Sequence, residues 1–321
     1  MGNIDVIDEG PTLGAKSAIV NGNQTAFMLG KMEMDRSFMK DGWFFDVWIG
    51  QAYCHKVEKI LFQKKTKYQE VLIFESQNSG KLLVLDGDVQ CAEKDEFGYQ
   101  EMIAHVPLSC HHNPKNVLIV GGGDGGVIRE VARHPEVENI TLCEIDEEVI
   151  NACKKFMPSM AVGFNSTKLN IHIGDGYEFV KKHQHAFDVI INDIPDRTPL
   201  NDLTENIYSK SYYDLIKMAL KPKGVFIAQE CSVWNDLEGV SSVMETCGER
   251  FAVVDYNMCM IPSYPDMQGF VLCSLDPNTN FRKPLRKVGN ADLKYYNASV
   301  HGASFVVPEF ARKRLQKMYK F

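Results

Sequence analysis

Nine cysteines, an odd number, are scattered through the 321 residues without a single C-x-x-C pair. That spacing offers neither a disulfide framework nor a zinc site. Thiols such as Cys143 in "ITLCEI" and Cys273 in "FVLCSL" lie in apolar runs, where they pack as small hydrophobes. No apolar stretch approaches the roughly 20 residues that a membrane-spanning helix needs, so no membrane partner is expected. The N-terminus shows no basic region ahead of an apolar core, and the expected compartment is the cytoplasm. Basic charge is not in excess either. Lys and Arg number 35 against 42 Asp and Glu, a net charge of −7 that gives no reason to expect nucleic acid and suits cationic small molecules. Internal repeats and low-complexity segments are missing as well. His111 and His112 stand together in "SCHHNPKN", a turn-like stretch expected to be solvated, and no metal site is expected.

What is present changes character along the chain. Residues 1–40 carry scattered Gly and Asn without periodicity and are expected to form a loosely ordered tail. From Val57 the residues alternate, and "LLVLDGDVQ" carries Asp86-Gly87, the strongest hairpin signal in the chain. A small antiparallel β domain with a linking helix at "DEFGYQEMIAHVP" is expected over 41–106. Beyond it, over 107–321, apolar runs such as "NVLIV", "ITLCEI", "LNIHI" and "DVIIND" are separated by helical stretches. Strands alternating with helices imply βαβ units and a mostly parallel, doubly wound, Rossmann-like α/β sheet.

The turn after the first of these runs reads "IVGGGDGGVIRE". Gly121, Gly123 and Gly126 fit the G-x-G-x-x-G fingerprint that cradles a dinucleotide pyrophosphate. Asp124 stands inside that turn. A carboxylate within about 4 Å of a phosphate costs about 4 kcal/mol at an effective dielectric of 20, which argues against an NAD-type ligand. Ordinary capping of the following helix would also explain an aspartate here. Yet Glu144, Asp175 and Asp193 stand at the ends of the next three strands, where open α/β sheets bind ligands. Four carboxylates around a glycine nest favour a positively charged nucleoside such as an adenosyl sulfonium.

The sequence resembles the spermidine synthases (polyamine aminopropyltransferases). The blocks that carry the likeness are "LVLDGDVQCAEKDEFGYQEMIAHVPL", "VLIVGGGDGGVIREV", "CEIDEEVI", "GDGYEFV" and "DLKYYNASVHGASFVVPEFARK", in family order from about Gly42 onward. The resemblance implies a methyltransferase-type Rossmann-like sheet, a homodimer, and transfer of an aminopropyl group from decarboxylated S-adenosylmethionine to putrescine. It needs no cofactor beyond that cosubstrate. On matching positions it implies that Gln69, Gln100, Asp124, Glu144, Asp175 and Gly176 meet the cosubstrate. Glu144 suits the ribose hydroxyls, and Asp124 faces the aminopropyl ammonium and disfavours the carboxylate of ordinary S-adenosylmethionine. Asp193 matches the proton acceptor, and an alkylammonium with a pKa of ~10.4 is only roughly 0.04% neutral at pH 7, so its deprotonation must be assisted. Tyr99, Asp193, Asp196, Gln229 and Tyr264 match the amine-binding positions.

The amine side departs from the family pattern. Where the family reads D-S-S-D-P or D-T-T-D-P and then x-G-P-A, this chain has "DIPDRTPLNDLTENIYSKSYY". In "QECSVW", Cys231 replaces a family glutamate and Glu230 stands one place early, a shift expected to turn its side chain to the opposite face. These changes leave open an altered amine choice, a putrescine N-methyltransferase-like activity, or a weakly active or non-catalytic paralogue that acts as a binding partner.

Overall fold

The alternating residues of the N-terminal half form a six-stranded antiparallel sheet in chain order. Its strands are β1 (Met39–Lys40), β2 (Trp43–Trp48), β3 (Gln51–Lys65), β4 (Glu70–Ser76), β5 (Gly80–Leu85) and β6 (Asp88–Ala92). The Asp86-Gly87 hairpin holds both residues at positive φ, 50° and 96°. This is the type I′ geometry whose twist matches its flanking strands. The computed structural model describes residues 39–48, 51–195, 206–207, 209–288 and 292–319, all within the unit Ser37–Phe321. Most of the expected tail, residues 1–38, therefore lies outside the described residues, while Met39 and Lys40 already pair in the sheet.

Helix α1 (Glu96–Cys110) follows, one turn longer than its sequence pattern because the helix continues through Pro107. Then come β7 (Asn116–Gly121), α2 (Gly126–Ala132), β8 (Asn139–Glu144), α3 (Glu147–Phe156), α4 (Pro158–Ala161), β9 (Leu169–Ile173), α5 (Gly176–Lys181) and β10 (Phe187–Asp193). The remainder is α6 (Lys210–Ala219), β11 (Leu220–Glu230), α7 (Leu237–Gly248), β12 (Val253–Cys259), β13 (Gln268–Ser274), α8 (Ala298–Ala303) and α9 (Glu309–Leu315). The seven strands of the second sheet lie in the order β12-β13-β11-β10-β7-β8-β9. Pairing is parallel from β11 to β9, and β13 inserts antiparallel between β11 and β12.

β7 shows why these strands read as continuous apolar runs. Val117 and Ile119 pack on one face with Met102 and Ile103 of α1 and Ile128 of α2. Leu118 and Val120 pack on the other with Tyr212 and Ile216 of α6 and Met244 of α7. A strand covered on both faces has no side to leave polar. The smaller sheet joins this body through Val71, Ile73, Leu83 and Leu85, which bury against Val149 and Cys153 of α3 and Met160 of α4. After β9 the chain crosses back to β10 on the far side of β7, so strand order reverses between β7 and β10. A crevice forms at such a reversal, at the carboxyl ends of the strands. The site lies there.

Candidate active site

The glycine turn is shaped by what approaches it. Gly121, Gly122 and Gly125 hold the left-handed φ values of 80°, 76° and 88°, so the strained positions only partly coincide with the fingerprint glycines. A Cβ on Gly121 would stand 2.0 Å from the Asp193 carbonyl oxygen, and one on Gly126 would stand 2.5 Å from Gln100 Cδ. Absence of side chains here lets the end of β10 and Gln100 in the second turn of α1 close on the turn. The Gly122 N–H donates to the Asp193 carbonyl at 3.0 Å, which locks β7 to β10.

Asp124 does both things the sequence allows. Its Oδ1 accepts the Gly126 N–H at the start of α2 at 2.6 Å, and the carboxylate also lines the crevice, where Gln100 Nε2 reaches its two oxygens at 3.2 and 3.4 Å. Burial pushes its pKa up, while the Gly126 N–H, the Gln100 amide and the Arg129 charge pull it back. Arg129 is held in turn by Glu96, which accepts its two terminal nitrogens at 2.9 and 2.7 Å, and by Glu130, which accepts its Nε at 2.7 Å.

Glu144 ends β8 and accepts the Asp146 N–H at 2.9 Å. Burial still lifts its pKa to about 7, because backbone N–H groups offset only part of the lost hydration. Asp146 caps α3 and also accepts Gln69 Nε2 at 3.1 Å, which carries the β3–β4 turn of the smaller sheet to the crevice. Asp175 caps α5. Next to it, a Cβ on Gly176 would lie 2.4 Å from Val120 Cγ1, so the helix start is pressed onto the end of β7.

Asp193 ends β10, with Oδ1 accepting the Tyr99 hydroxyl at 2.6 Å. Burial, then the Asp124 charge, raise its pKa to about 7, with Glu144 adding and the Tyr99 bond opposing. Its Oδ2 is buried without a hydrogen-bond partner among the described residues. The Tyr99 hydroxyl is also 3.0 Å from Gln229 Oε1, and Gln229 Nε2 donates to the Ile194 carbonyl. Tyr264 donates to the Gln90 carbonyl, and its ring meets that of Tyr99 at 6.3 Å and 64°. Their placement follows from α1 packing beside the sheet and from the turn after β12.

One cavity of about 1010 Å³, counted with its open mouth, is lined by every expected site residue except Asp196. Asp196, like Arg197 and most of the rewritten segment after it, lies outside the described residues. A second cavity of about 650 Å³ adjoins the first at Gln90, Gln229 and Tyr264. Asp46, Asp88, Glu230 and Asp266 line it. Glu230 continues the face of β11 that carries Phe226 and Ala228, where burial, with its charge adding, raises the pKa of Tyr213 and Tyr256, and it borders the second cavity together with Cys231.

Sequence reasoning missed Gln90, which touches both cavities, and the wall formed by Tyr68, Leu83, Leu85 and Val149. A polar residue inside "DVQCA" was a usable signal for Gln90; the apolar wall carries none. His111 is also corrected: it is 7% exposed, not solvated, and burial lowers its pKa to about 4. Its ring accepts the Asn113 N–H at 3.1 Å, and the charges of Asp188 and then Arg286 act on it, while Arg286 donates to the carbonyls of Leu108 and His112 on either side. Chemically, the crevice gathers Asp124, Glu144 and Asp193 with apolar walls. Their mutual repulsion makes it a receptor for positive charge.

Comparison with known proteins agrees with this chemistry. Residues 96–283 match the spermine/spermidine synthase domain, and residues 42–93 match the spermidine synthase tetramerisation domain. A spermidine synthase of Schizosaccharomyces pombe is 46% identical over 293 residues, covering 89% of this chain and 97% of that protein. A spermine synthase of Arabidopsis thaliana is 44% identical over 284 residues, covering 85% of this chain and 78% of that protein. Among solved structures, a spermidine synthase in complex with the transition-state analogue AdoDATO superposes with a TM-score of 0.80 at 35% identity, covering 89% of this chain and 99% of that one. The chain belongs to the spermidine synthase family and is an aminopropyltransferase with that family's Rossmann-like fold.

Proposed function

We propose that this aminopropyltransferase uses decarboxylated S-adenosylmethionine as donor and putrescine as acceptor, giving spermidine and methylthioadenosine. The observation that carries the reading is Asp124 inside the glycine turn, facing a crevice that it shares with Glu144 and Asp193. A donor with a sulfonium and an ammonium relieves the repulsion among these carboxylates, whereas the carboxylate of ordinary S-adenosylmethionine adds to it. In this reading Glu144 grips the ribose hydroxyls, Asp175 and Gly176 meet the adenine, and Gln69 and Gln100 complete the donor side.

In this reading the acceptor lies against Tyr99 and Tyr264 with Gln229 nearby, and Asp196 is assigned to the same amine by its matching sequence position. A neutral amine nitrogen attacks the carbon next to the sulfonium, the C–S bond breaks, and the thioether leaves with the bonding pair. That neutral nitrogen arises when the bound ammonium first gives one proton to Asp193, and after the attack the product nitrogen carries the positive charge that sulfur has lost. The Tyr99 hydroxyl occupies Oδ1, which leaves the unpartnered Oδ2 to receive that proton. A second, acid-lined cavity beyond Tyr264 gives the far ammonium of a diamine a favourable surrounding. We take the assembly to be a homodimer at least, in line with the tetramerisation domain matched by residues 42–93, and the compartment to be the cytoplasm. No observation favours a methyltransferase or a non-catalytic role.

The test is direct. Purified protein is given decarboxylated or ordinary S-adenosylmethionine with putrescine, cadaverine or spermidine, and products are identified by mass spectrometry. Spermidine and methylthioadenosine, made fastest from the decarboxylated donor and putrescine, support the reading. Faster use of spermidine, or methyl transfer from the ordinary donor, overturns it.

A further inference from the structure

We propose that Asp95 is a positioning residue that sets Tyr264 against Tyr99 on the amine side of the crevice; this rests on the functional reading above. Asp95 is the N-cap of α1, where a carboxylate commonly accepts N–H groups of its own first turn. It makes no such bond. Its Oδ2 accepts the Ser263 N–H at 2.7 Å and its Oδ1 accepts the Ser263 hydroxyl at 2.8 Å, across 168 residues of chain. Both residues are buried, at 6% and 3% exposure, so water does not compete freely for these charge-assisted bonds.

The tie has a specific geometry. Tyr99 follows Asp95 by four residues, about one helical turn, and Tyr264 follows Ser263 directly. One carboxylate thus joins the two elements that carry the two tyrosines. The far shoulder of the same loop is held by the Ser232 hydroxyl on Asp266, and the Tyr53 hydroxyl donates to the Pro262 carbonyl at 2.8 Å. α1 has its own anchor in the paired Glu96 and Arg129. Loss of the Asp95 bonds therefore removes the tie next to Tyr264, whose remaining hold is its own bond to Gln90 and the anchors at Pro262 and Asp266, and leaves the helix in place. Tyr264 lines both cavities, so its displacement alters the passage between them and spares the donor end near Asp124, Glu144 and Asp175. A misplacement of about 1 Å near reacting groups can cost on the order of a hundredfold.

The experiment compares Asp95→Ala, Asp95→Asn and Ser263→Ala with wild type. Steady-state constants are measured for putrescine and for decarboxylated S-adenosylmethionine, each with the other saturating. Asp95→Ala should raise the amine KM about ten- to a hundredfold and leave the donor KM within about twofold. Asparagine can accept the Ser263 N–H and donate to its hydroxyl oxygen, so Asp95→Asn should recover most of the loss. Ser263→Ala, which keeps the backbone bond, should fall between. Equal rises in both KM values, or an asparagine variant as impaired as the alanine one, overturn the proposal. Should Asp95→Ala not fold, Ser263→Ala decides: a rise confined to the amine KM supports the role, and an unmoved amine KM removes it. Wild-type protein that transfers no aminopropyl group brings down the functional reading and the proposal with it. Active wild type with an unmoved amine KM in the variants brings down only the role of Asp95.

Discussion

Asp193→Asn exchanges a carboxylate for its neutral isostere in a crevice that Asp124, Glu144, Asp175 and Asp193 all line. Burial, then the charge of Asp124, with Glu144 adding, move Asp193 from 3.8 to about 7 against the pull of Tyr99. A carboxyl whose pKa rises on folding binds its proton more tightly in the native state. The contribution of Asp193 to wild-type stability should therefore fall as pH climbs from about 4 to about 7 and level off above that. At about 1.36 kcal/mol for each pH unit the whole interval is worth about 4 kcal/mol. Water and relaxation around a half-buried group reduce the observable part to about 1–3 kcal/mol. The asparagine keeps an oxygen for the Tyr99 hydroxyl and carries no charge. Its advantage over wild type should be small at about pH 4.5 and reach about 1–3 kcal/mol at about pH 8. Turnover should fall by about 10²–10⁴ in the same variant. Urea titrations at one protein concentration read the stability, because assembly makes it concentration-dependent. An advantage that does not grow between the two pH values, or a variant less stable than wild type at the higher one, refutes the electrostatic account.

Three further outcomes follow from other parts of the site. Gly121→Ala must place a methyl 2.0 Å from the Asp193 carbonyl at a φ of 80°, so thermal unfolding should show a loss of about 3 kcal/mol or more. Arg129→Met strands the buried Glu96 and leaves Glu130 to Arg133 and His105, and the urea midpoint should report a loss of about 3–5 kcal/mol, with Glu96→Gln milder. Binding of the dicationic donor should lower the raised pKa values of Asp193 and Glu144, both about 7 in the protein alone. Calorimetry in buffers of different ionisation enthalpy near pH 7 should then show proton release, and affinity should weaken as pH falls.

Much of this was legible because the physics is local. Alternation and Asp86-Gly87 announce the β5–β6 hairpin, and an aspartate inside a glycine turn announces a site for positive charge. Other features depend on distant partners. Nothing in "FVLCSL" says that β13 enters antiparallel between β11 and β12, since a strand buried on both faces reads the same in either direction. "GGGDGG" has more glycines than the fingerprint needs, so the sequence does not tell which of them adopt left-handed φ. The turn of His111 and His112 is bound by Arg286, 174 residues beyond His112, and Asp95 is turned from capping by Ser263. Such contacts exist only once the chain is folded.

The central claim is that Asp124 makes the glycine turn a receptor for an aminopropyl sulfonium. Calorimetric affinities of decarboxylated and ordinary S-adenosylmethionine, for wild type and Asp124→Asn, test it most directly. Like charges about 4 Å apart repel by about 4 kcal/mol at an effective dielectric of 20. Wild type should therefore prefer the decarboxylated donor by at least about tenfold, and Asp124→Asn should lose most of that preference by weakening it about ten- to a hundredfold. Equal binding of the two donors to wild type, or a preference that survives the substitution, contradicts the claim.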